Sequence, residues 1–75
     1  MTDTNHETIA GFSSRVRSLR ERAGYTQAGL AWVLGIHVDS VRNYETGRTT
    51  PRLENLQPLA DALECSVIDL IWDGK

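Results

Sequence analysis

The chain has 75 residues, 40% of them hydrophobic, with eight Lys plus Arg against ten Asp plus Glu and a net charge of −2, which fits one small domain and excludes a second. A domain this short buries roughly 60 to 65% of its unfolded surface, so its apolar side chains go to one core and leave little for an enclosed pocket. Cys65 is the single cysteine, no apolar run approaches the roughly 18 residues of a membrane span, and no basic segment precedes an apolar one at the start, so a reducing cytoplasmic setting without a membrane is expected.

Residues 1–10 are polar, acidic and without pattern, and read as a flexible tail ahead of a domain over 11–72. Phe12, Val16, Leu19 and Ala23 recur at helical spacing and stop at Gly24, which gives a first amphipathic helix. Thr26 sits where an N-cap belongs, and Leu30, Ala31 and Leu34 carry a short second helix to Gly35. A third helix, Val38 to Thr46, places Val41 and Tyr44 on one face and ends at Gly47. Two helices joined by so short a glycine turn form a helix-turn-helix.

Leu53, Leu56, Leu59, Ala60 and Leu63 define a fourth helix in which Pro58 conflicts, since it lacks the N–H that would bond Glu54. The conflict eases if Asn55 caps the regular helix and Arg52 to Glu54 form a separate turn. Ser66 with Asp69 three residues on is a capping box that opens a fifth helix, 66–72. The expected fold is all-α, five helices without strands.

A pI near 5.5 speaks against phosphate binding, but the charge is segregated. From Gly11 to Leu53, Arg15, Arg17, Arg20, Arg22, Arg42, Arg48 and Arg52 face only Glu21, Asp39 and Glu45, a balance of +4, while the two ends balance at −6. Nucleic acid therefore stays among the candidate partners. No nucleophile with base and orienting partner, no metal-ligand spacing and no glycine-rich phosphate loop occurs, so neither an enzyme nor a cofactor or metal is expected. Cys65 reads as a small buried hydrophobe.

Thr26-Gln27, Ala31, Gly35, Val41, Tyr44-Glu45, Gly47, Pro51 and the run Leu59-Ala60-Asp61-Ala62-Leu63, taken together at their spacing, resemble the lambdoid phage repressor and Cro type of helix-turn-helix, the XRE family. The match runs from about Phe12 to Ile71. It implies a lambda-repressor-like domain in a sequence-specific, double-stranded DNA-binding transcriptional regulator, a repressor acting as a homodimer on a palindromic operator. It also implies a partly buried salt bridge between Arg20 and Glu45; the alternative is two unrelated surface charges.

By the same resemblance, Val38 to Thr46 is the recognition helix, with its N-terminal residues toward base edges. The implied base contacts are Val38, Asp39, Arg42 and Asn43, with His37 at the entrance. Asn43 suits adenine, Arg42 suits guanine or a phosphate, and Val38 suits a thymine methyl. Asp39 suits cytosine N4, or else serves only the helix dipole. His37 stands where the family has a Ser or Thr cap. Phosphate contacts are implied for Thr26 and Gln27 at the start of the second helix and for Ser40, Thr46, Arg48, Thr49 and Arg52.

Two features depart from the family. Trp32 and Val33 stand where the second helix has polar residues, and either pack against Ile9 and the tail or offer a patch to RNA polymerase or another protein. A protein-interaction or antitoxin-like module using that patch is the rival function. Val67, Ile68, Leu70, Ile71 and Trp72 exceed what the core needs, and relatives of this size dimerise through the fourth and fifth helix region, so Val67, Ile71 and Trp72 are the dimer candidates.

Overall fold

Alternating apolar positions one helical turn apart build each element, and short caps end it. The structure, a computed structural model, describes the backbone of residues 3–71 and the side chains of 11–71. Its five helices are α1 (Asp3–Arg22), α2 (Gln27–Leu34), α3 (Val38–Thr46), α4 (Leu53–Ala62) and α5 (Val67–Ile71), with no strand among the described residues. The all-helical expectation holds. α1 begins earlier than its apolar pattern, however, and residues 3–10, expected as a tail, continue the helix. No Gly or Pro interrupts that stretch, so the helix extends past the point where its apolar face stops.

The α2–α3 turn follows from its caps. Thr26 Oγ1 accepts the Gly29 N–H at 2.9 Å and starts α2. Gly35 then takes a left-handed φ of 71°, which lets Ile36 N–H reach back to the Ala31 carbonyl at 3.0 Å and turns the chain within three residues. A second left-handed glycine, Gly47, closes α3. The Ser66–Asp69 capping box forms both of its bonds: Asp69 N–H to Ser66 Oγ at 3.0 Å, and Ser66 N–H to Asp69 Oδ2 at 3.1 Å.

α4 corrects one expectation. It is a single helix from Leu53 with Pro58 inside, and Asn55 does not cap it. Arg52 is the N-cap and makes no side-chain cap bond; Asn55 N–H instead bonds the Arg52 carbonyl at 2.8 Å. Pro58 and Glu54 both lie on the exposed side, where water can take the carbonyl that proline leaves without a donor.

Phe12 and Val16 of α1, Leu30 and Ala31 of α2, Val41 and Tyr44 of α3, Leu59 and Ala60 of α4, Leu63 just after it and Leu70 of α5 form one buried core. α1 packs on α3 and α5, α2 on α3 and α4, and α4 on α5. Leu53 is not part of that face: it is 85% exposed at the first position of α4. Arg15 fastens α5 to α1, its Nε donating to the Leu70 carbonyl at 2.8 Å, and its guanidinium lies over the bare Cα of Gly11.

Candidate nucleic-acid interface

α3 is amphipathic, and its inner face decides where its outer face points. Val41 and Tyr44 are buried, so Asp39, Arg42 and Thr46 project away from the core, with Asn43 and Ser40 half-buried at the edges. Val38 divides its contacts, since its side chain packs partly against the core. His37 is the N-cap: its Nδ1 accepts the Asp39 N–H at 3.0 Å. That role requires an unprotonated Nδ1, which leaves Nε2–H as the outward donor of a neutral ring.

The last turn of the helix is held by a buried polar network. Arg20 of α1 sends Nε to Glu45 Oε2 and Nη2 to Glu45 Oε1 at 3.2 Å, and its Nη1 donates to the Tyr25 carbonyl at 2.8 Å. The side chains are 10% and 3% exposed, so the salt bridge is nearly dry. Hydrogen bonding to Glu45 raises the Arg20 pKa above its ordinary value against the opposing cost of burial. Gln27 Nε2 adds a third bond to Glu45, onto Oε1 at 3.0 Å. One carboxylate thereby ties the last turn of α3 to α1 and to the first residue of α2.

That network changes the reading of Gln27. One of its two amide N–H donors is engaged inside the protein, so the second N–H, the amide oxygen and the backbone N–H at the open end of α2 remain. Thr46 is exposed but spends its hydroxyl proton on its own helix, Oγ1 donating to the Asn43 carbonyl at 3.3 Å. Thr26 uses its oxygen as a cap acceptor and keeps a hydroxyl proton to donate.

The arginines sort into two groups. Arg20 is buried, Arg15 bonds α5, Arg17 pairs with Glu21 at 3.6 Å, and Arg42 pairs with Asp39 at 2.8 Å. Arg22, Arg48 and Arg52 are exposed and meet no carboxylate among the described residues. Arg48 and Arg52 stand with Thr49 on the exposed loop that follows α3. The structural duties of Arg15 and Gln27 were not legible in the sequence, because each needs a partner 55 or 18 positions away.

Trp32 does not fold back on the chain. It is 83% exposed and Val33 47%, while the side chains of Ile9 and the tail, against which packing was expected, lie outside the described residues. At the other end Leu70 is buried, Val67 packs partly on the core, and Ile71 and Ile68 are 41% and 63% exposed. Trp72, the third dimer candidate, lies outside the described residues.

Two short helices joined at a left-handed glycine, the second with its polar face turned outward, define a helix-turn-helix domain. Residues 12–70 match the family model described as a helix-turn-helix domain, and the chain belongs to that family, whose members are non-enzymatic DNA-binding transcriptional regulators. It is 41% identical over 56 residues to the cryptic phage CTXphi transcriptional repressor RstR of Vibrio cholerae, a match that covers 75% of this chain and 50% of that protein. The chain thus corresponds to half the length of that relative. Among solved structures it resembles the P22 c2 repressor protein in complex with a synthetic operator, at 31% identity and a TM-score of 0.77 over 81% of this chain and 92% of that one. It is equally similar to the restriction-modification controller protein C.AhdI from Aeromonas hydrophila, at 32% identity and a TM-score of 0.77 over 83% and 94% of the two chains. No helix among the described residues is long and apolar enough to cross a membrane.

Proposed function

We propose that this protein is a cytoplasmic repressor that recognises double-stranded DNA sequence-specifically, setting α3 in the major groove of a palindromic operator as a homodimer. The observation that carries this reading is the outward face of α3, which presents groups able to read base edges and is followed in the chain by the exposed, unpaired Arg48 and Arg52. The likeness to a repressor in complex with its operator supports it.

In this reading Arg42, Asn43 and Val38 meet base edges, with Asp39 and His37 at the entrance of the helix. Arg48, Arg52, Thr49 and Ser40, the hydroxyl of Thr26, and the N–H groups at the start of α2 beside Gln27 hold the phosphates. The exposed Ile68 and Ile71, with Val67 and the neighbouring Trp72, form the contact between two copies. Two recognition helices then enter successive major grooves about 34 to 36 Å apart.

Fluorescence anisotropy on duplex DNA against salt tests the interface. Affinity should fall along log salt with a slope near −0.9 per phosphate neutralised, and Arg48→Ala should make that slope shallower by about one phosphate on every sequence. Binding independent of salt refutes the reading. Sedimentation with and without DNA tests the dimer, and a monomer in both refutes it.

The exposed Trp32 and Val33 motivate a second reading, in which α2 docks RNA polymerase or another protein. It predicts a salt-insensitive partner whose binding Trp32→Ala abolishes while DNA affinity is unchanged.

A further inference from the structure

On the outward side of α3, Arg42 and Asp39 make an ion pair, Nη1 donating to Oδ1 at 2.8 Å. They stand three residues apart, so their heads share one patch of helix surface. Both side chains are more than half exposed, 55% and 65%, and a pair so solvated adds little to the stability of the fold. Its consequence is directional: it fixes where the guanidinium sits.

A free arginine on a recognition helix has two destinations, a guanine in the groove or a phosphate on the groove wall. Attraction to phosphate acts on every sequence alike and carries no information. Asp39 lies in the first turn of α3, the end that enters the groove first, and draws the Arg42 head toward that end. Its negative charge also disfavours the phosphate wall. One of the five guanidinium N–H donors is engaged by Asp39, and four remain. Guanine is the base whose major-groove edge offers two acceptors, O6 and N7, to such a fork. The backbone of Asp39 is itself held by His37, whose Nδ1 accepts the Asp39 N–H at 3.0 Å.

We propose that Asp39 is a positioning residue for Arg42, holding its guanidinium toward the base edges so that Arg42 reads a guanine in each half-site instead of binding the backbone. This rests on the DNA-binding reading above. It gives Asp39 a role through its neighbour, separate from accepting a cytosine amino group on its own account.

The experiment is selection of bound sites from random duplex DNA by the full chain and by its Arg42→Ala, Asp39→Ala and Asp39→Glu variants and the double alanine variant, each first shown to melt like the parent. The parent should select guanine at one half-site position, and Arg42→Ala should lose it. Asp39→Ala should lose the preference at that same position, from about tenfold or more to under about twofold. It should also bind random duplex more tightly, with a salt slope steeper by about one phosphate. The double variant should match Arg42→Ala there, and Asp39→Glu, which keeps the charge, should restore the preference. A preference retained by Asp39→Ala, or lost at a different base pair, overturns the positioning role and leaves DNA binding standing. Selection of no sequence by the parent overturns both.

Discussion

Replacing Glu45 by alanine removes the acceptor of two Arg20 bonds and one Gln27 bond in a site where the arginine side chain is only 10% exposed. The guanidinium cannot shed its proton, so it remains a buried charge held only by the Tyr25 carbonyl and, more loosely at 3.8 Å, by the exposed Glu21. Removing one partner of a buried pair costs about 3 to 5 kcal/mol. A domain of 75 residues is stable by roughly 4 to 11 kcal/mol in all. Glu45→Ala should therefore consume about a quarter or more of the stability, and Arg20→Ala, which strands a carboxylate 3% exposed, should do comparably. The double variant Arg20→Met with Glu45→Leu leaves no orphan charge and should lie within about 1 kcal/mol of the parent, less damaged than either single change. Urea unfolding followed by circular dichroism measures all of these. Single losses below about 0.5 kcal/mol, the scale of a surface pair, would refute the reasoning. So would a double loss equal to the sum of the singles.

Four further outcomes follow from particular residues. Gly35→Ala forces a Cβ into a left-handed φ of 71° and should cost about 1 to 2 kcal/mol, seen as a lowered Tm; an unchanged Tm would contradict the turn geometry. Glu64 is a non-glycine residue at φ 58°, so Glu64→Gly should leave the stability equal or raise it by up to about 1 kcal/mol, seen as an equal or higher Tm. Burial raises the Tyr44 phenol above the ordinary 10.0, so the folded chain keeps its proton where the unfolded chain has lost it. Stability should accordingly be full below pH 10 and fall as pH rises above it, and Tyr44→Phe should flatten that fall in melts taken across alkaline pH. Burial, with Asp69 adding to it, also raises the Cys65 thiol, so a thiol reagent at mildly alkaline pH should modify it more slowly in the native chain than in urea.

Local chemistry accounts for what the sequence by itself determined. Caps and glycines act over three or four residues, so the limits of α2 and α3, the left-handed Gly35 and Gly47 and both bonds of the Ser66–Asp69 box could be read from neighbours in the chain. The Arg20–Glu45 pair was legible only through family resemblance, because 25 positions separate the partners and no local rule joins them. Where burial does not fix a helix end, pattern misled. α1 continues through residues 3–10 without an apolar stripe, and Pro58 lies inside α4 because its missing donor faces water.

Tertiary packing decided the rest. Leu53 has the spacing of a core leucine, yet no helix covers the first turn of α4, and it stays 85% exposed. Arg15 and Gln27 carry side chains suited to phosphate, and the fold gave them the Leu70 carbonyl and the Glu45 carboxylate instead. Trp32 is as apolar as any core residue and remains outside. Even the segregated charge was sharpened in this way: of seven arginines between Gly11 and Leu53, only Arg22, Arg48 and Arg52 meet no carboxylate or carbonyl partner among the described residues. Residue type and spacing specify which groups are able to pair and which helices form, since those choices are settled within a turn or two of chain. Which group actually pairs, and which apolar face is covered, depends on distances between segments remote in sequence, and those exist only once the helices have packed.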